Sequence, residues 1–100
     1  MAHHHHHHVG TENLYFQGKE IVNHGLITVG DGSVNLIGGK VKNEGVISVN
    51  GGSISLLAGE AVNLGDIFAK GGNINVRAAT IRNQGKLSAG KGNIVLSAGE

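Results

Sequence analysis

Histidines are the first candidates for chemistry in this chain, because six of the seven form one uninterrupted tract from His3 to His8. Imidazole nitrogens are common metal ligands, so the tract by itself would indicate a metal site. The nearby segment Glu12-Asn13-Leu14-Tyr15-Phe16-Gln17-Gly18 spells the recognition sequence of a tag-removing viral protease. We therefore interpret residues 1–18 as a histidine tag and protease-site linker and exclude them from functional reasoning. We hypothesise that Asn13-Leu14-Tyr15-Phe16 caps the first coil or pairs with a neighbouring molecule. His24, the remaining histidine, is expected to be a solvated turn residue.

Carboxylates are the next candidates, because enzymes that cleave polysaccharides use paired acids. Outside the tag these are Glu20, Asp31, Glu44, Glu60, Asp66 and Glu100. Glu20, Glu60 and Glu100 lie in one series of spacing 20 that also contains Lys40, which indicates alternating charges on a solvated corner. A calcium-binding glycine-aspartate repeat needs an acid in every turn, and only Gly30-Asp31-Gly32 has one. We predict no enzyme activity, and no catalytic, cofactor-binding or metal-binding residue.

The spacing of 20 holds throughout residues 19–100 and defines four coils at about 21–40, 41–60, 61–80 and 81–100. Glycine follows each asparagine of the repeat by two residues, and a second glycine series falls at 32, 52, 72 and 92. Two aliphatic series share this register: Ile27, Ile47, Ile67 and Leu87, and Val34, Ile54, Ile74 and Ile94. Such exact recurrence is typical of a solenoid, whose units bury their apolar faces only by stacking.

Within each unit apolar residues alternate with polar ones, as in Ile27-Thr28-Val29 and Val34-Asn35-Leu36. Alternation over a few residues, closed by glycine-rich turns, is typical of short strands with one buried face. The pattern predicts three strands per unit, near 26–29, 33–37 and 40–43. Equivalent residues of stacked coils would lie ~4.8 Å apart in parallel, in-register ladders. The predicted fold is an all-β parallel β-helix.

The asparagine series, Asn23, Asn43, Asn63 and Asn83, is predicted to be structural. An inward amide can donate and accept along the stack and can satisfy turn groups that no strand reaches. Glycine at each following corner suggests a backbone with positive φ. We expect substitution of Asn63, inside the stack, to destabilise the fold more than substitution of Asn23.

Composition excludes several function classes. Charge is nearly balanced, no basic run suggests nucleic acid, and no apolar stretch approaches the ~20 residues of a membrane-spanning helix. Cysteine is absent, which excludes a disulfide framework.

Several outward positions carry apolar residues, and contiguous exposed apolar area can mark a partner surface. The possible interaction surface consists of Ile37, Leu57, Leu64 and Phe68, and Val22 and Val62 are further outward candidates. Either another part of a longer protein covers this face or a partner binds it. In isolation, the chain is expected to self-associate through its coil ends or its apolar face.

The segments Val22-Asn23-His24-Gly25-Leu26-Ile27-Thr28-Val29 and Gly51-Gly52-Ser53-Ile54-Ser55-Leu56-Leu57-Ala58-Gly59 resemble coils of filamentous-haemagglutinin-like proteins. These are large bacterial two-partner secretion exoproteins, among them adhesins, biofilm-matrix proteins, haemolysins and contact-dependent inhibition stalks. The resemblance implies a right-handed parallel β-helix, an outer-membrane transporter as partner, and a place outside the cell or on its surface. The Asn-Pro-Asn motifs of the family's secretion domain are absent, so we expect shaft coils that follow that domain.

Two functions remain open from the sequence. The first is a structural or adhesive shaft segment of a secreted surface exoprotein, whose partner would be a host receptor, a polysaccharide or a matrix component. The alternative is a carbohydrate-binding or carbohydrate-processing β-helix, which a surface groove lined by acids and Phe68 would favour.

Overall fold

The computed structural model describes residues 2–4 and 13–99. Within these residues the chain forms ten strands and no helix: β1 Ala2–His4, β2 Leu14–Asn23, β3 Leu26–Val29, β4 Val34–Asn43, β5 Val46–Val49, β6 Ile54–Asn63, β7 Asp66–Ala69, β8 Ile74–Asn83, β9 Lys86–Ala89 and β10 Ile94–Ala98. It follows that no described helix is long and apolar enough to cross a bilayer.

The strands form two parallel sheets, and both follow the 20-residue repeat. The long strands stack in the order β1-β2-β4-β6-β8-β10, and the short strands in the order β3-β5-β7-β9. Val34 pairs with Ile54, and Ile54 with Ile74, so equivalent residues are neighbours across coils. The predicted all-β solenoid with in-register ladders is confirmed.

Each coil contains two strands where the sequence predicted three. The long strand β4 joins the segments predicted at 33–37 and 40–43, and passes through Gly38 and Gly39. Ladder pairing continues through Gly38↔Ala58 and resumes at Lys40↔Glu60, so a single position is unpaired at this corner. The long strand therefore continues through the corner where the prediction placed a turn between two strands, and β8 does so with Ala78 and Ala79 in place of the glycine pair.

Inward side chains form a single apolar core along the stack. Ile27, Ile47 and Ile67 lie one above another and are at most 1% exposed. The final coil differs, because no further described strand covers it. Ile94 is 41% exposed, whereas Ile74, its equivalent one coil earlier, is fully buried.

The glycine columns have a different cause from the one predicted. Among the described residues only Gly99 has a positive φ, at 93°. At Gly45, Gly52 and Gly72 an added Cβ would instead overlap the carbonyl oxygen of the equivalent glycine in the preceding coil. Close approach between stacked turns therefore requires glycine in these columns.

The first coil includes part of the linker. β2 begins at Leu14, and Leu14 and Phe16 pair with Val34 and Leu36 of β4. Both linker side chains pack against the core. The predicted boundary between residues 18 and 19 thus falls inside a strand, while the division into four natural coils stays a prediction.

Candidate functional site

Four asparagines at the ends of the long strands form a hydrogen-bonded column. Each side-chain amide donates to Oδ1 of the next asparagine: Asn23 to Asn43 at 2.8 Å, Asn43 to Asn63 at 2.9 Å, and Asn63 to Asn83 at 2.9 Å. Each of these amides also lies near turn carbonyls, as Asn63 Nδ2 lies 3.1 Å from the Gly65 oxygen. The column links successive coils to one another and links each turn to the strand before it. Its contacts are those of a structural element.

Burial along this column is uneven. Asn23, Asn43 and Asn63 are at most 4% exposed, whereas Asn83 is exposed. Asn83 accepts from Asn63, and no hydrogen bond leads onward from its own amide group within the described residues. The column therefore has a direction, with a donor group facing outward at the last coil.

His24, Lys42 and Glu44 form an ionic cluster on the adjoining corner. Lys42 Nζ lies 3.0 Å from Glu44 Oε2, and His24 Nδ1 lies 2.5 Å from Glu44 Oε1. The hydrogen bond from Lys42 holds the pKa of the Glu44 carboxyl below its ordinary value, and the positive charge of Lys42 adds to this effect. His24 is exposed, as expected of a solvated turn residue, but it is not isolated, because it pairs with Glu44 of the next coil.

Two features of the sequence indicate this cluster, although it was not among the predicted sites. His24 and Glu44 are separated by one repeat, so the ladder makes them neighbours. Lys42 and Glu44 are two residues apart at a strand end, where side chains return to the same face.

The other charged corner shows the predicted alternation from Glu20 to Glu60; Thr80 follows Glu60 in the column, and Glu100 lies outside the described residues. Glu20 pairs in register with Lys40, and Lys40 pairs with Glu60. Lys40 Nζ lies 3.9 Å from Glu60 Oε1, and both side chains are substantially exposed. At the surface such a pair contributes little, with a typical range of about 0–1 kcal/mol.

The residues predicted as an interaction surface are all exposed, but they do not share one sheet. Ile37 and Leu57 are ladder neighbours on β4 and β6. Phe68 lies on β7 in the other sheet, and Leu64 lies in the turn before it. Leu57 is 50% exposed and the other three are 37–39% exposed. Val22 and Val62 are buried, which contradicts their assignment as outward apolar residues.

Phe68 stands between two shallow depressions on the short-strand sheet. One has a volume of about 240 Å³ and is lined by Asp66, Ile67, Phe68, Lys86 and Ser88. The other, of about 290 Å³, is lined by Thr28, Val29, Gly30, Ser48, Val49, Asn50, Phe68 and Lys70. An exposed ring is therefore bordered on both sides by hydroxyl, amide and charged groups.

Among the described residues no group of three histidines or carboxylates is arranged to hold a metal ion. Buried side-chain nitrogen and oxygen atoms of this part of the chain all have hydrogen-bond partners. The buried polar side chains thus bond to neighbouring coils and turns, and the other polar side chains lie at the solvent-facing surface.

A crystal structure of the HMW1 secretion domain from Haemophilus influenzae is similar to this chain, with 71% sequence identity and a TM-score of 0.72. The similarity covers 77% of this chain and 28% of that one, so the chain spans about a quarter of the protein it matches. No protein-family model and no curated protein matches the chain.

This similarity bears on the interpretation of the coils as shaft that follows a secretion domain. The matched protein is itself a secretion domain. Coils of this type thus occur within such a domain, and the missing Asn-Pro-Asn motifs did not indicate a later position. With the in-register stack and this degree of identity, the chain belongs to the filamentous-haemagglutinin-like family of two-partner secretion exoproteins.

Proposed function

We propose that these coils are a structural shaft segment of a secreted bacterial exoprotein, exported by an outer-membrane transporter and exposed at the cell surface. The observation that carries the proposal is the 71% identity to a secretion domain over 77% of the chain. The same similarity supports a non-enzymatic role. The chain spans only 28% of that protein. We therefore propose, and do not read from the similarity, that the parent protein uses a transporter, lies at the cell surface and binds a receptor.

The division between inward and outward positions supports a shaft. Inward columns keep their residue type from coil to coil, as in the buried Ile27, Ile47 and Ile67. Outward columns change, as in Thr28, Ser48, Phe68 and Ser88. Selection on stacking explains the first group, so adhesive recognition of a host receptor or matrix component would use the second. Self-association of the isolated chain after removal of its tag, through its coil ends or apolar face, belongs to the same proposal.

A secretion assay tests this function. A two-partner exoprotein that carries these coils is expressed with and without its outer-membrane transporter, and the protein outside the cell is quantified. We expect export to require the transporter. Gly72→Glu, which disrupts stacking, should reduce the amount recovered in folded form, whereas Leu57→Ser on the outer face should not. Export without the transporter would contradict the proposal.

A carbohydrate-binding surface is a second candidate, and the setting of Phe68 favours it. A partly exposed ring offers an apolar face to a sugar, and the bordering Asp66, Ser88 and Asn50 offer hydrogen-bond partners for its hydroxyls. The first depression has a single carboxylate, so binding fits it better than the two-acid cleavage of a glycosidic bond.

NMR titration with neutral and uronic-acid-containing oligosaccharides tests this candidate through changes in the backbone amide chemical shifts. Shifts should concentrate on β5, β7 and β9 and disappear in Phe68→Ala. The matched control, Leu57→Ala, removes an exposed apolar side chain from the other sheet and should leave the shifts unchanged. Absence of perturbation with every sugar, or equal loss in both variants, would eliminate this candidate.

A further inference from the structure

The last coil exposes the positions that earlier coils bury. Ile94 and Leu96 are 41% and 48% exposed, whereas their equivalents Ile74 and Val76 are 0% and 3% exposed. The outer edges of β9 and β10 are unpaired within the described residues. Parallel edges and uncovered aliphatic side chains at one end form a template for another coil of the same kind.

The opposite end already accepts an added strand. β1 pairs in parallel with the final part of β2, with Ala2 opposite Ile21 and His4 opposite Asn23. Asn23 is 1% exposed beneath this strand, whereas Asn83 at the open end is exposed. The first edge is therefore competent for parallel pairing and is partly occupied by residues of the tag.

Hydrogen-bond polarity makes the two ends complementary. Along the column each amide nitrogen donates toward the following coil, as Asn63 does to Asn83. The last coil thus presents a donor, Asn83 Nδ2. The first presents Asn23 Oδ1, which accepts from the Gly25 amide at 3.2 Å and has a second lone pair available. A second copy placed with Asn23 above Asn83 continues the column in its own direction.

The linker determines whether this placement is possible. With Asn23 above Asn83, the 20-residue register puts Leu36 of the upper copy above Leu96 of the lower one. The lower copy's β10 then pairs with Val34–Gly38, the part of β4 that Leu14–Gly18 occupies within the chain. Both segments cannot lie there. Cleavage between Gln17 and Gly18 removes β1 and most of the competing segment. In this register Gly18, Lys19 and Glu20 of the upper copy still fall on the last three positions of the lower copy, 98–100, so one of these two short termini has to detach.

We propose that the chain cleaved after Gln17 stacks head to tail with further copies of itself, and that residues 1–17 prevent this in the uncleaved chain. β10 of one copy takes the place on β4 that the linker strand leaves. The two joined surfaces differ, so the contact does not close on itself and produces filaments of variable length. Shifting the register by a full coil, to retain the linker, would place residues 6–9 of the tag above β9 in place of a strand of the repeat.

Sedimentation velocity and light scattering test the proposal on the uncleaved and cleaved chains over a wide concentration range. The uncleaved chain should remain monomeric. The mass of the cleaved chain should rise with concentration to many times the monomer mass, and its Tm should rise in parallel because association stabilises the folded state. Fibre diffraction should show a reflection at about 4.8 Å along the filament axis.

Two variants of the cleaved chain distinguish the ends from the apolar side. Leu96→Lys places a charge at the proposed joint, on a side chain already half exposed, and should abolish association. Leu57→Lys places the same charge on the outer face and should preserve it. A cleaved chain that stays monomeric or unfolded at every concentration would overturn the proposal. Equal association of the uncleaved chain, or loss caused by Leu57→Lys alone, would also overturn it.

Discussion

The side-chain amide of Asn43 donates a hydrogen bond of 2.9 Å to Oδ1 of Asn63, the equivalent residue one coil later. Both side chains are buried, with exposures of 0% and 4%. Each interior asparagine therefore acts as donor and acceptor in a column that joins successive coils.

Replacing an interior asparagine should destabilise the fold. Asn63→Ala leaves the Asn43 amide without its ladder acceptor and Asn83 Oδ1 without its donor. The variant also loses the Asn63 bonds to the Gly65 and Lys86 carbonyl oxygens. We expect a loss of about 1–3 kcal/mol, because several hydrogen bonds worth about 0.5–1.5 kcal/mol each disappear. Urea unfolding followed by circular dichroism measures it. Asn83→Ala, at the exposed end, is the control and should cost less; equal losses would contradict a cooperative column.

The two glycines of the third turn should respond differently to a methyl group. A Cβ at Gly72 would overlap the Gly52 carbonyl oxygen, whereas a Cβ at Gly71 would lie 3.1 Å from the Asn50 oxygen. We expect Gly72→Ala to lower the free energy of unfolding by about 3 kcal/mol, as overpacking does. Gly71→Ala should have a much smaller effect. Thermal denaturation compares them, and similar Tm values would argue against close approach as the reason for the column.

The carboxyl of Glu44 should titrate below its ordinary range. The hydrogen bond from Lys42 favours the ionised form and lowers the pKa of Glu44 in the folded state. A lowered pKa contributes stability above the unfolded-state pKa, and that contribution disappears as pH falls through the folded-state value.

NMR titration of the Glu44 side chain measures this pKa directly. In Lys42→Met the pKa should return toward 4.5, the ordinary value for this group. Lys40→Met removes a lysine from the other charged corner and should leave the Glu44 pKa unchanged. An unshifted pKa in the unsubstituted protein would contradict the contact with Lys42.

The linker should be a poor protease substrate in the folded chain. Gln17 and Gly18 lie within β2 and pair with Ile37 and Gly38. A protease must bind this segment as a free extended strand, so β2 has to detach before cleavage, and the rate follows the open population. We expect cleavage to accelerate in urea below the unfolding transition.

A variant with a glycine-serine insertion after Gly18 provides the control. The insertion separates the recognition segment from the register of β2, so cleavage should be fast without urea. If the original chain were cleaved equally fast in buffer alone, the linker would not be held in the strand as described.

The sequence by itself determined the fold, because a period of 20 without insertion requires coils of equal length stacked in register. It also indicated the asparagine column and the alternation of Glu20, Lys40 and Glu60. Neighbours across coils of a solenoid are equivalent residues of the repeat, so the 20-residue period predicts many of the tertiary contacts.

The tertiary structure decided what periodicity does not encode, namely distances between backbones and coverage of faces. The glycine column after the asparagines, which includes Gly45, suggested positive φ, but proximity of the preceding carbonyl oxygen is the actual cause there and at Gly52 and Gly72. Val22 and Val62 alternate as outward residues do, yet they are buried. The linker, excluded as foreign, completes the first coil because Leu14 and Phe16 meet the apolar spacing of Val34 and Leu36. A stack accepts any strand whose side chains fit its pattern, and only the folded chain shows which segment occupies that edge.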